Sequence, residues 1–272
     1  MKTSAVNKKS ASSTRNRKPM ASATGIPGEN PALSPREDEQ EPLLGEPGDA
    51  SQREGKAIPY NLVIGTAVIA QAGIWILAAI VWASVFTSKL MLFSAHPTAP
   101  ILYHVRLTSL QAGIVLATQG ALILQPTHTS TQKRQGTNVH AVLNGVGLAA
   151  LIAGLVVIEV NKIGHGGTHF VSPHAILGLV TYIFLVVQTL VGFTQYYTPS
   201  LYGGVNNAKK LYKYHRASGY VVLTLALATV AAATQTDFNK TTLHIRLWSV
   251  LVTTVLVLVG VVPRIKKQKF GF

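Results

Sequence analysis

No cysteine occurs among the 272 residues. That excludes a disulfide framework, an iron–sulfur cluster, a thiolate zinc site, c-type haem attachment and palmitoylation. Charge is scarce as well, at 12% of residues against about 25% in an ordinary soluble domain. Acid is the scarcest of all. Eight of the ten Asp and Glu lie in residues 1–56, which leaves Glu159 and Asp237 for everything after them. Long stretches beyond residue 57 carry no charge, so a soluble reading fails and a membrane domain behind a polar tail replaces it.

The tail, residues 1–56, is rich in Ser, Thr, Pro, Gly, Asn and charge and has no apolar period to fold on, so disorder is expected. Its first 20 residues hold Lys2, Lys8, Lys9, Arg15, Arg17 and Lys18 without an acid, the composition of a lipid-touching polybasic arm. The acidic block that follows contains Glu39-Gln40-Glu41-Pro42-Leu43-Leu44, which has the form of an acidic di-leucine sorting signal. Together they favour a vacuolar or endolysosomal membrane.

What is abundant is hydrophobicity, 48% of residues, gathered into six apolar stretches: 58–88, 100–125, 139–160, 172–196, 211–234 and 245–263. The intervening segments are rich in Pro, Gly, Asn, Thr and charge. Backbone groups in lipid must be satisfied within a segment, so these stretches are expected to be helices. The expected architecture is all-α, a bundle of six transmembrane helices over residues 57–272 with both termini on one side. Lys133, Arg134, Lys209, Lys210, Lys213, Arg216, Arg264, Lys266, Lys267 and Lys269 fall on the terminal side, against Lys89, Lys162, Lys240 and Arg246 opposite. Ten cations against four place the termini in the cytosol. The net charge of +14 therefore reflects lipid and orientation, not nucleic acid.

Nine histidines punctuate the chain. A single His near a helix end is ordinarily an interfacial polar group. Four positions differ from that. His140, His174 and His215 stand near the starts of the third, fourth and fifth spans, and His96 or His104 near the start of the second. Alternating span directions sort them into two pairs by depth: a second-span His with His174 near the lumenal surface, and His140 with His215 near the cytosolic one. Facing imidazoles with no Cys, Asp or Glu at that depth suit axial ligation of a flat b-type haem better than zinc, which takes three or four ligands. Gly178 and Gly219 follow His174 and His215 by four residues, and Gly145 follows His140 by five, each removing a side chain where a porphyrin would lie.

These residues resemble the cytochrome b561 family, through "LFSAHP" (Leu92 to Pro97), "HFVSPH" (His169 to His174), "KLYKYH" (Lys210 to His215) with Ala217-Ser218-Gly219, and the six-span layout over about 58–263. It looks most like the branch without an added sensor domain. The resemblance implies two haem b groups held by four histidines on the second to fifth spans. It further implies that cytosolic ascorbate supplies electrons, and that monodehydroascorbate or a ferric chelate accepts them opposite. One departure is an extra segment, Thr98 to Thr108. The motif favours His96 as the second-span ligand and distance along the helix favours His104; His96, His140, His174 and His215 form the preferred set.

Lys133, Arg134, Lys209, Lys210, Lys213 and Tyr214 flank the cytosolic pair where the family places basic residues for the ascorbate anion. Asn161, Lys162, His165 and His169 surround the lumenal pair. A homodimer is compatible with this layout. A proton-coupled permease using the histidines as relays is the competing function; it calls for intramembrane acids, and only Glu159, near a helix end, is at hand.

Overall fold

The computed structural model describes residues 50–88, 99–164, 166–167, 169–266 and 270, the side chains of 99–110 and 161 excepted. Residues 1–49, with the polybasic arm and Leu43-Leu44, lie outside the described residues, as do His96 and His165. Six long helices follow in order: α1 (Ala67–Thr87), α2 (Ala99–Leu124), α3 (Ser130–Gly164), α4 (Pro173–Tyr197), α5 (Val205–Ala233) and α6 (Leu247–Val261). No strand occurs among the described residues. The helices α1, α3, α4 and α5, and α6 with its continuation to Arg264, are long and apolar enough to cross a membrane; the apolar part of α2 is Gln111–Leu124. The protein is a multi-pass membrane helix bundle.

Two helices begin earlier than their hydropathy suggests. Thr129 and Gln132 form a capping box in which Gln132 N donates to Thr129 Oγ1 (3.3 Å) and Thr129 N donates to Gln132 Oε1 (3.4 Å). That reciprocal pairing fixes the start of α3 at Ser130, nine residues ahead of its apolar stretch. Likewise α5 begins at Val205, after Gly203 and Gly204 turn the chain with φ of 75° and 114°. At 35 residues, α3 is about 52 Å long against a ~30 Å hydrocarbon core, so its polar first turns extend past the apolar span. Sequence pattern finds the apolar window; caps decide where the helix starts.

The pairs α1 with α6, α2 with α3 and α4 with α5 pack broadly, while the consecutive helices α3 and α4 touch far less. Ala70, Ile74, Leu77 and Ala78 of α1 are buried against Val250, Val257 and Val261 of α6. The approach is close enough that a Cβ on Gly260 would stand 2.3 Å from the Ala70 nitrogen. Small residues let helix backbones meet where lipid offers no hydrophobic drive to association. In contrast, the 25-residue α4 buries only Thr181 and Gln195. Its apolar residues look outward, and its polar ones face the bundle.

The last residues of the tail are tied to the terminal-side face. Gln52 N donates to Pro126 O (3.0 Å), its amide accepts from Asn61 Nδ2 (2.9 Å), and Gln132 Nε2 donates to its carbonyl (3.3 Å). Gln52, within the segment whose composition suggests disorder, is thus hydrogen-bonded into the described fold. Two of the partners that bury Gln52, Pro126 and Gln132, lie 74 and 80 residues away in sequence, which composition does not register.

Candidate functional site

The start of α4 is dictated locally. Ser172 accepts from Ala175 N through its hydroxyl (3.2 Å) and Pro173 occupies the first helical position, so His174 is fixed in the first turn. There its Nδ1 lies 2.9 Å from the carbonyl oxygen of Thr229 on α5. A carbonyl only accepts, so the bond assigns the proton to Nδ1 and the ring lone pair to Nε2.

At the other end of the bundle the same arrangement recurs. His140, ten residues into α3, places Nδ1 3.0 Å from the carbonyl of Gly120 on α2 and 3.2 Å from Asn144 Nδ2; the carbonyl can only accept, so the Gly120 bond puts the proton on Nδ1 and the lone pair on Nε2. Asn144 Nδ2 donates to His140 O (2.8 Å), holding that turn of α3. His215 on α5 lies within electrostatic reach of His140. Its Nδ1 is buried and has no hydrogen-bond partner, an orphaned polar group of a kind rare in native interiors. Tyr197 OH, at the end of α4, donates to Asn138 Oδ1 two residues before His140 (3.0 Å) and ties the two helices at this level.

Along α5, His215 and Thr229 are 14 residues apart, so the two histidine levels are separated by about 21 Å. No group of three or more His, Cys, Asp or Glu able to hold a metal occurs among the described residues. The donor chemistry is therefore one imidazole per helix. Imidazoles anchored through Nδ1 to backbone carbonyls are in the tautomer and orientation that metal-bound histidines adopt. These residues fit an axially ligated haem.

The glycines divide. Beside Gly145 a Cβ would meet nothing within 4 Å, and beside Gly178 only the Thr229 methyl at 3.6 Å. Beside Gly219 it would meet Gln188 Nε2 at 2.9 Å. Gly219 thus serves the packing of α4 on α5, where Gln188 Nε2 donates to His215 O (2.5 Å) and Ser218 Oγ donates to Gln188 Oε1 (2.7 Å). The glycine that sets the His215 ring is one the sequence did not single out. A Cβ on Gly192 of α4 would stand 2.6 Å from His215 Cε1 and 3.0 Å from Nε2. Its only sequence signal was a glycine in an apolar run.

The basic residues ride on the helix extensions. Lys133 and Arg134 precede His140 by seven and six residues, and Lys209 precedes His215 by six, so each stands about 9–10 Å along the axis from its histidine. Lys210 Nζ donates to Asn207 Oδ1 (3.5 Å), and Lys213 Nζ lies 5.1 Å from the ring centre of Tyr214, which is exposed. At the far end of α3, Lys162 Nζ lies 5.9 Å from the Phe170 ring centre, and His169 forms an ion pair with Glu159. Asn161 lies in the last turn of the same helix. Glu159 is paired at a partly exposed helix end, not at the bilayer midplane where a permease relay would need it.

A family model described as eukaryotic cytochrome b561 matches residues 103–241. The match runs from within α2 to beyond α5, taking in His104, His140, His174 and His215 and leaving out His96. The ascorbate-specific transmembrane electron transporter 2 of Zea mays is 24% identical over 182 residues, covering 64% of this chain and 70% of the maize protein. The family match spans α2 to α5, the four helices whose residues include His104, His140, His174 and His215, and the chain belongs to the cytochrome b561 family of haem b membrane oxidoreductases.

Proposed function

We propose that this protein carries electrons across a membrane through two haem b groups, taking them from cytosolic ascorbate and delivering them to monodehydroascorbate or a ferric chelate on the opposite face. The observation that carries the reading is the repeated anchoring of an imidazole Nδ1 on a neighbouring helix carbonyl, His140 on Gly120 and His174 on Thr229, at levels about 21 Å apart. His140 and His215 would hold one haem, and His174 with a histidine of the second span the other. The maize relative, an ascorbate-specific electron transporter by name, supports ascorbate as the donor.

Helical rise supports His104 as the second-span partner. Gly120, level with His140, is 16 residues from His104 on α2, about 24 Å. His174 is 18 residues from Gly192, level with His215, on α4, about 27 Å. His96 precedes α2 and is favoured by the "HP" motif alone.

When bound, haem supplies reversible one-electron iron chemistry. The chain's own residues do the rest. Backbone carbonyls hold the imidazole tautomers of His140 and His174. Lys133, Arg134, Lys209, Lys210 and Lys213, with Tyr214, draw in and hydrogen-bond an anionic reductant. Asn161, Lys162, His165 and His169 would receive the acceptor opposite. The cation asymmetry supports cytosolic termini, and the tail supports an endomembrane location. A tagged Leu43→Ala/Leu44→Ala variant that localised as wild type would remove that last point.

The test is a reduced-minus-oxidised visible spectrum of the detergent-purified protein, first with dithionite, then with ascorbate, with haem quantified per chain. About two haem b per chain, at least one reduced by ascorbate, is expected. A folded preparation without haem overturns the reading.

A further inference from the structure

Arg264 follows α6 and is one of the ten cations that orient the chain, yet its side chain is 1% exposed. Its guanidinium donates to four neutral acceptors: Gln125 Oε1 (3.0 Å), Leu122 O (3.0 Å), Asn61 O (3.1 Å) and Ile64 O (2.5 Å). No carboxylate pairs with it among the described residues, where the one ion pair is Glu159 with His169 at the opposite end of the bundle. The acids described on its own side reduce to Glu54, which is exposed. Four of the five guanidinium N–H groups are hydrogen-bonded, and no carboxylate among the described residues compensates the charge. Such an arrangement costs several kcal/mol of desolvation, and a cation that served orientation alone would gain more by staying in water.

Two bonds connect this charge to the terminal-side histidine pair. Leu122, whose carbonyl accepts from Arg264, lies two residues from Gly120, whose carbonyl accepts from His140. Gln125, which also accepts from Arg264, donates to Tyr220 OH (3.2 Å) five residues beyond His215 on α5. The guanidinium therefore flanks α2 on the side away from His140, about 10 Å from it, roughly one helix diameter.

We propose that Arg264 is a potential-tuning residue: its buried, unpaired charge favours the reduced state of the haem held by His140 and His215, making that centre the readier acceptor of an electron. This rests on the two-haem reading. Reduction of ferric haem adds one electron and so lowers the local positive charge; a fixed cation nearby stabilises the product relative to the reactant. At about 10 Å and an effective dielectric of about 20, the effect is about tenfold in the reduced-to-oxidised ratio at fixed ambient potential. Arg264 touches neither substrate nor haem in this scheme and is not a catalytic residue.

The test is a spectroelectrochemical titration of the full-length holoprotein, resolving the two haem potentials, with haem content and thermal stability measured alongside. Gln125→Glu keeps the arginine and sets a carboxylate beside it, so one potential falls while the other holds. Arg264→Met shifts the same potential downward. Arg264→Lys keeps the charge and loses the planar fork, so stability falls while the potential stays within twofold of wild type in the same ratio. If Arg264→Met does not fold, Gln125→Glu decides. An unchanged potential in Gln125→Glu, or equal shifts in Arg264→Met and Arg264→Lys, overturns the proposal. Wild-type protein without haem would instead overturn the function on which it rests.

Discussion

Gly192→Ala is the sharpest probe of whether His215 is a ligand. The added Cβ would lie 2.6 Å from His215 Cε1, where ordinary contact begins at 3.4 Å, so the ring must retreat by about 0.8 Å. A metal–imidazole bond tolerates about 0.2 Å of displacement, a quarter of that distance. In the protein alone the cost is modest: overpacking costs about 1–3 kcal/mol, and alanine returns about 0.5–1 kcal/mol of helix preference over glycine. The variant should therefore fold and insert, lose the haem of the terminal-side pair, and keep the other. Haem per chain from the reduced-minus-oxidised spectrum, with thermal unfolding in detergent, measures both quantities. Gly164→Ala is the control, because a Cβ there meets nothing within 4 Å. Full haem content in Gly192→Ala would refute His215 as a ligand held in this position.

Three further outcomes are expected. Gly145→Leu, placed where nothing stands within 4 Å, should leave the apoprotein's thermal stability within about 1 kcal/mol of wild type and lower haem content; unchanged haem would mean the space beside Gly145 is lipid-filled. Of His96→Ala and His104→Ala, the latter should lose the haem shared with His174, as read by haem quantitation; loss in His96→Ala alone would return the role to the "HP" motif. Asn61→Ala removes bonds to Gln52 Oε1 and Ile123 O, should cost about 1–3 kcal/mol, and should free the chain around Arg53 to limited trypsin digestion; unaltered cleavage would show that Gln52 is held without it.

The six-helix layout was legible because it rests on apolar runs, which the bilayer enforces residue by residue. The start of α4 was written in Ser172-Pro173, a local cap needing no distant partner. The starts of α3 and α5 were harder to see, since their first turns are polar and hydropathy measures lipid, not helix. The histidines stood out by type and by their recurrence near span starts. Their anchors did not, because a backbone carbonyl has no sequence signature.

Sequence alone determined that this is a polytopic helical membrane protein with histidines recurring near the span starts. Composition and order suffice for that, because solvent and lipid read each segment independently. Tertiary structure alone decided which carbonyls fix His140 and His174, that Gly192 bears on His215 while Gly219 makes way for Gln188, and that Arg264 turns inward. Each of those depends on which helix stands beside which, and that follows from packing among segments as far apart as the 203 residues between Asn61 and Arg264, a relation no local pattern encodes.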